Sequence, residues 1–389
     1  MPNWQDLEIL SSSSICKRCL GRTFAKVGHG LSNPERGEKI AFTLNALGFS
    51  LSIPEEQNCS ICKGLFLKLR GLCAPIEAEL SDYEFSSFLV GSENSQPSQL
   101  EKDLESRFGQ GEGLKKEFNR EFGKLLSNRM HKEVDLKDPD IIITVNLEYL
   151  SYRFWIKSLF IQGRYRKLVR GIPQTRWIIH DKHDSVEEFI GLPAKNMVRA
   201  ENFFLHAAGR EDVDVLMLGK GRDFVLELSS PHLRNIDLET LAKEVNGSGS
   251  VEIEDLRIVG KEQVERVKSS RHDKTYMVRV EAASNIDQPS FLEAVSALSG
   301  KVIYQRTPLR VSGRRADLIR ERKVKKANTL SIDGCHAVVE ITAEAGTYIK
   351  ELVNGDEGRT NPNLSSLYGS SLKVEKLDVL EIKEETENV

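Results

Sequence analysis

Four of the chain's six cysteines stand as two pairs near the N-terminus, Cys16-Lys-Arg-Cys19 and Cys59-Ser-Ile-Cys62. Two thiolates separated by two residues on a tight knuckle can both reach one tetrahedral Zn²⁺. Two such knuckles close a four-sulfur structural site with no open position for chemistry. Cys16, Cys19, Cys59 and Cys62 are therefore the expected ligands of a structural zinc ion. Disulfides do not suit the reducing cytosol expected for this chain. Cys73, set between Leu72 and Ala74, is expected as a small core residue. Between the knuckles, Glu35–Leu47 carries Ile40, Leu44 and Leu47 on one helical face, and Gly48 ends the helix. Residues 1–75 are expected to form a zinc-stapled helical module.

The remaining chain is long enough for one or two further domains, since 389 residues exceed what a single core usually serves. No run of eighteen apolar residues and no apolar signal core occurs, so a soluble, cytoplasmic protein without a membrane partner is expected. A net charge of −3 argues against a wholly basic nucleic-acid binder but leaves room for local basic patches. From Gly91 to about Gly113 the composition is polar and turn-rich, which predicts exposed segments. Leu114, Phe118, Phe122 and Leu125 then recur at helical spacing, followed by strands at Ile141–Leu147 and Phe154–Ile161. The exit of this α/β unit, Gly163 to Arg176, carries five basic residues and no acid, with Tyr165 among them, and reads as an RNA contact.

Beyond Trp177 the pattern alternates. Helices are predicted at Phe189–Ala208, Asp237–Val245 and Ser290–Leu298. Strands are predicted near Val213–Leu218, Phe224–Leu228, Val251–Val259, Tyr276–Glu281, Lys301–Tyr304, Cys335–Thr342 and Leu377–Ile382. This order implies an α+β domain with a mixed sheet. No glycine-rich dinucleotide fingerprint or Walker pattern is present, so no nucleotide cofactor is expected and the chemistry must come from side chains. Ala208-Gly-Arg-Glu-Asp-Val-Asp-Val215 precedes a predicted hairpin turn at Gly219-Lys-Gly-Arg222 and holds acidic residues on a loop. Lys301–Lys326 contains ten basic residues against Asp317 and Glu321, a net of +8, and reads as a loop laid along phosphates. His206, on the helix expected before the acidic loop, and His232 show no metal spacing and read as structural. Cys335 beside His336 reads as a buried thiol opening a strand rather than a nucleophile.

Four stretches in order resemble the tRNA pseudouridine synthases of the archaeal Pus-ten family. They are Gly163–Trp177; Gly209–Val215 with Gly221–Glu227; Gln305-Arg-Thr-Pro-Leu-Arg-Val-Ser-Gly-Arg-Arg315; and Ala345–Leu352 with Gly355–Thr360. The resemblance runs from the cysteine pairs to near Leu377. It implies a THUMP-like RNA-binding domain at 76–177 and a pseudouridine synthase catalytic domain at 178–389. It further implies a monomer acting on the TΨC arm of tRNA at uridine 54, uridine 55 or both, without a catalytic cofactor. On the family's Arg-x-Asp loop, Arg210-Glu211-Asp212 makes Asp212 the catalyst, with Asp214 as the fallback that spacing alone does not exclude. Lys350 takes the place of the basic residue paired with that aspartate. Tyr276 is implied to stack on the base, with Tyr348 as its competitor and Leu352 packed beneath. Arg210, Arg310, Arg314 and Arg315 are expected to contact the RNA. The family pattern has Arg and His where this chain has Leu216 and Gly313, so one phosphate contact is expected to be missing.

The chemistry fits these residue types. Cleaving the uridine C1′–N1 bond develops positive charge on the ribose, which a fixed carboxylate stabilises or traps; removal of the 2′ proton is the other role open to it. The flipped uracil must rotate without escaping, which calls for an aromatic face. THUMP-like domains also accompany tRNA methyltransferases and thiouridine synthetases, but no methyl-donor loop or adenylating loop is found. The rival from another class is a zinc and THUMP protein that binds tRNA without altering it.

Overall fold

The computed structural model describes residues 4–93, 97–109, 111–176, 184–313 and 315–382. Two compact units emerge, Met1–Lys157 with His232–Arg234, and Ser158–Pro231 with Asn235–Val389. No helix among the described residues is long and apolar enough to cross a membrane.

In the first unit, helix Asn33–Ala46 opens with a capping box between Ser32 and Glu35, and Gly48 follows its end at φ +91°. Its buried face differs from the expected one. Arg36, Gly37, Ala41 and Leu44 are buried, whereas Leu47 is exposed. The reason is a close crossing with helix Lys17–Thr23: a Cβ on Gly21 would lie 1.8 Å from the Asn33 carbonyl oxygen, and one on Gly37 would lie 1.8 Å from that of Lys17. The stretch after Gly91 also differs from expectation. Gly91 lies inside a strand, and Gln99–Phe108 is a helix capped by Ser98, with Leu104 and Phe108 buried one turn apart.

The sheet of this unit comprises β1 (Ser87–Glu93), β2 (Glu133–Val134), β3 (Ile141–Asn146) and β4 (Tyr152–Ile156), ordered β2-β1-β3-β4. β1 is parallel to β2 and β3, and β3 is antiparallel to β4. On β3 the alternate residues Ile141, Ile143 and Val145 are fully buried, as are Phe118, Phe122 and Leu126 on helix Leu114–Met130. One hydrophobic cluster runs from Leu10 through the four knuckle cysteines and Cys73 to Ile156. Helix Leu69–Leu80 spans the expected 75/76 boundary, so cysteine module and sheet share a core.

The second unit is built on ten strands among the described residues. These are β5 (Leu159–Lys167), β6 (Asn202–Ala207), β7 (Leu216–Ser229), β8 (Val251–Val259), β9 (Lys274–Ala282), β10 (Val302–Arg306), β11 (Ile319–Asp333), β12 (His336–Ala343), β13 (Thr360–Asn361) and β14 (Leu372–Ile382). Their order is β13-β10-β11-β12-β9-β14-β7-β5-β8, with β6 also paired to β7. The pairings are antiparallel except for a short parallel contact of β14 with β7 at Asp378↔Leu216 and Val379↔Met217. This is the expected α+β mixed sheet. β5 lies between β7 and β8, upstream of the 177/178 boundary read from the sequence.

Two local expectations are corrected. The hairpin expected at Gly219–Arg222 is instead a bend inside one long strand. Gly219 and Gly221 adopt φ +60° and +78° there, because a Cβ would lie 1.8 Å from the Leu380 carbonyl oxygen at the first and 2.8 Å from that of Tyr165 at the second. The bend lets β7 leave β14 and continue along β5. The helix expected at Phe189–Ala208 is Val186–Val198, ended by Arg199 at φ +50°, after which β6 buries Phe203 and Leu205 in alternation. His206 is thus on a strand, where it pairs with Glu227 at 3.0 Å.

The glycine crossing leaves no room for a methyl group. Gly37→Ala is expected to destabilise the protein by about 1–3 kcal/mol or more, seen as a lower urea midpoint. An unchanged midpoint would mean that the two helices do not meet there.

Candidate active site

The irregular segment Ala208–Val215, with a turn at Val213 and Asp214, leads into β7. Glu211 turns inward and is 5% exposed. The Tyr165 hydroxyl donates to both of its oxygens at 2.9 Å, and the Arg222 guanidinium lies 3.0 Å away. Gln174 completes the cluster, its Nε2 donating to the Tyr165 hydroxyl at 2.8 Å and to the Gly209 carbonyl at 3.0 Å. Burial, reinforced by Glu211, pushes the Tyr165 hydroxyl well above its ordinary pKa. Burial works against the charge of Arg222, but Glu211, Tyr165 and Tyr276 together raise its pKa. The backbone is held as well. Lys167 Nζ donates to the carbonyls of Ile172, Asp212 and Val213 at 2.8, 3.1 and 3.0 Å, and Arg222 Nη1 donates to that of Ala208 at 2.6 Å.

Beside the fixed Glu211, Asp212 lines a cavity of about 400 Å³, to which Glu211 also contributes. Arg310 Nη1 lies 3.0 Å and Lys350 Nζ 3.3 Å from its carboxylate. Lys350 is closer to Asp214, at 2.8 Å. Burial works to raise the Asp214 carboxyl, but the hydrogen bond and charge of Lys350 leave it below the usual range. Asp214 is two-thirds exposed and does not line the cavity, whereas Asp212 does. Arg310 also donates to Glu351 at 2.6 Å, and Glu351 and Asp212 together raise its pKa against the effect of burial.

The opposite wall comes from β9 and from the start of helix Ile349–Asn354. Tyr276 lines the cavity at 8% exposure, and burial pushes its hydroxyl up to about 12, with Arg222 opposing. Gln305 clamps the Tyr348 backbone: its Nε2 donates to the Tyr348 carbonyl and its Oε1 accepts from the Tyr348 N–H, both at 2.9 Å. The Tyr348 hydroxyl accepts from Arg315 at 2.9 Å. Arg210 is exposed at the rim. Among the described residues nine of those lining the cavity are Lys or Arg and two are Asp or Glu, a balance that favours a polyanion.

The structure brings together Asp212, Lys350, Tyr276, Tyr348, Arg210, Arg310 and Arg315 around this cavity. Leu352 is fully buried on its helix and is not part of the lining. Arg314 lies outside the described residues. Cys335 sits half-buried in the turn between β11 and β12, neither buried nor near the cavity. His232 stacks on Tyr83 at 4.1 Å.

The basic run at Gly163–Arg176 is not the free RNA contact that its composition suggests. Arg164 pairs with Asp223, Arg166 with Glu252 and Glu254, Arg170 with Asp378 and Arg176 with Glu187, while Lys167 is buried. Acids remote in sequence oppose each arginine. In the Lys301–Lys326 run, residues 319–326 lie on β11 rather than in a loop, and Arg306 pairs with Asp317. Sequence reasoning missed Lys274 and Arg222 at the cavity and the role of Glu211. The available signal for Lys274 was its place two residues before Tyr276 on a strand.

In the first unit the sulfur atoms of Cys16, Cys19, Cys59 and Cys62 all lie within 4.8 Å of one another and are buried. The Cys16 N–H donates to Cys59 Sγ at 3.4 Å, and Arg22 Nη2 donates to Cys19 Sγ at 3.6 Å. Such donors suit thiolates, so the four residues fit a tetrahedral metal ion.

Comparison with known proteins bears on both units. The family model "Pus10, C-terminal" matches residues 160–383, and "Pus10 THUMP domain, archaeal" matches residues 73–146, which include β1 to β3. The protein "tRNA pseudouridine synthase Pus10" of Thermoplasma acidophilum is 46% identical over 96% of this chain and 97% of its own length. That of Picrophilus torridus is 46% identical over 97% and 99%, and that of Pyrococcus furiosus is 37% identical over 98% and 97%. With both units matched and the relatives aligned over nearly their whole length, the chain belongs to the Pus10 family of tRNA pseudouridine synthases.

Proposed function

We propose that this chain, as a tRNA pseudouridine synthase, isomerises uridine 54, uridine 55 or both in the TΨC arm of tRNA, with Asp212 as the catalytic carboxylate. The observation that carries the assignment is the placing of Asp212. It faces a basic cavity walled by Tyr276 and Tyr348 and is gripped by Arg310 and Lys350, while Asp214 stays outside the lining. A uridine flipped into this cavity meets the carboxylate at its ribose, where Asp212 attacks C1′ or removes the 2′ proton. Lys350 and Arg310 orient Asp212. The Tyr276 ring is the stacking face for the uracil as it turns, and Tyr348, its backbone clamped by Gln305, closes the other side. Arg210 and Arg315 at the cavity, together with Arg314, take the neighbouring phosphates.

The four-cysteine cluster is proposed to hold Zn²⁺ as a structural ion. With four protein ligands it leaves no position for substrate, so the catalytic chemistry stays with side chains.

Asp212→Asn should bind an unmodified tRNA transcript with a Kd within about threefold of the parent yet convert uridine at least about 10³-fold more slowly. Pseudouridine mapping on that transcript, with no cofactor added, reads the result. Parental conversion would sink the catalytic assignment, and conversion absent even from the parent protein would favour the purely tRNA-binding alternative. Asp214→Asn is expected to cost less than about tenfold. Elemental analysis should find one zinc per chain, and Cys59→Ser should abolish its retention and lower the thermal midpoint by about 10 °C or more. A metal-free parent protein with an unchanged midpoint would contradict the structural ion.

A further inference from the structure

Lys274 stands at the start of β9, two residues before Tyr276, and both side chains line the same cavity. Alternate residues of a strand project from one face about 7 Å apart. Lys274 and Tyr276 therefore leave β9 on the same face and reach the same cavity. A largely buried lysine is ordinarily paired, because an uncompensated charge away from water is costly. Among the described residues Lys274 has neither hydrogen bond nor ion pair; of the charges that act on it, Arg222 is of like sign, and Glu211, which opposes, is engaged with Arg222. Burial, with Arg222 beside it, pushes the ammonium down to about 8, which still leaves it mostly charged at neutral pH.

The space for this cation is kept open by the catalytic loop itself. Gly209 adopts φ +87°, and a Cβ there would lie 2.9 Å from both Lys274 Nζ and Arg222 Nη1. Glycine thus lets the loop pass over the two cations while the loop delivers Asp212 three residues later. The arrangement brings the Asp212 carboxylate and the Lys274 ammonium, which has no hydrogen bond among the described residues, to one cavity.

We propose that Lys274 is a further catalytic residue, donating a hydrogen bond to a carbonyl oxygen of the uracil held against Tyr276 and stabilising the uracil anion released by C1′–N1 cleavage. This deepens, and rests on, the assignment of uridine isomerisation to this cavity. When the bond breaks, its electron pair stays with the uracil and is shared between N1 and the two carbonyl oxygens. An ammonium bonded to one of those oxygens lowers the energy of the anion without giving up its proton. The pair available at C5 then forms the C5–C1′ bond. C5 loses a proton and N1 gains one, so atoms and charge balance with no further reactant.

The test is single-turnover conversion of an unmodified tRNA transcript at saturating protein. Lys274→Met is measured beside the parent, with Asp212→Asn as a parallel control, and each protein's tRNA Kd and thermal midpoint are recorded. The Met variant is expected to react about 10²-fold more slowly or worse while its Kd stays within about threefold of the parent. A parental rate, or a defect confined to tRNA affinity, overturns the proposal. If Lys274→Met does not fold, Lys274→Gln is judged by the same criteria. Parental activity in Asp212→Asn places the failure with the site assignment itself. An inactive Asp212→Asn beside a fully active Lys274→Met overturns the role of Lys274 alone.

Discussion

The candidate site depends on one buried ion pair, Glu211 with Arg222, sealed by the Tyr165 hydroxyl. Both charged side chains are almost wholly removed from water, an arrangement whose desolvation cost is tolerated only when the pairing and the added hydrogen bonds are good. What the pair fixes is the course of the loop: Glu211 is held to Arg222 beside the cavity, and its neighbour Asp212 meets Arg310 and Lys350 at the same cavity. Gln174 and Lys167 then hold the backbone on either side, which removes the freedom that a surface loop would otherwise have. Preorganisation of this kind is what electrostatic catalysis requires, since a carboxylate that must first be ordered loses part of its advantage.

The same physics explains how basic residues are used. Composition alone makes Gly163–Arg176 look like an RNA-binding strip, because every charge in it is positive. Its arginines are matched by Asp223, Glu252, Glu254, Asp378 and Glu187, brought from other strands and helices, and its lysine serves as a backbone donor. Charge balance is a property of space rather than of sequence neighbourhood. The basic cavity wall, by contrast, gathers Arg210, Lys274 and Arg315 from three separate segments, of which only that of Arg315 is conspicuous as a basic run.

Much of the site was legible in the sequence through the motifs that resemble the family. Asp212, Tyr276, Tyr348 and Lys350 were named from them, and all four line one cavity. Arg310 was read as an RNA contact, yet it bonds to Asp212 and Glu351. Leu352, expected beneath the base or Tyr276, is fully buried and is not part of the cavity lining. Spacing could not separate Asp212 from Asp214, and Lys350 bonds to both. What differs between them is that Asp212 lines the cavity and Asp214 does not.

By itself the sequence determined the short-range features. These include the paired cysteines, the helix between the knuckles ended by Gly48, the helical spacing of Leu114, Phe118 and Phe122 and the mixed α+β character of the second unit, because periodicity, helix-ending glycines and knuckle spacing act over a few residues. Tertiary structure alone decided that Gly219 and Gly221 bend a single strand rather than turn a hairpin, that Gly21 and Gly37 bring two helices into contact, and that Lys274 is left without a partner. Each of these depends on a surface contributed by a distant segment: the Leu380 carbonyl, the Asn33 backbone, or the Arg222 guanidinium. Sequence specifies what a residue can do nearby, whereas the packing of remote elements specifies what it is left free to do.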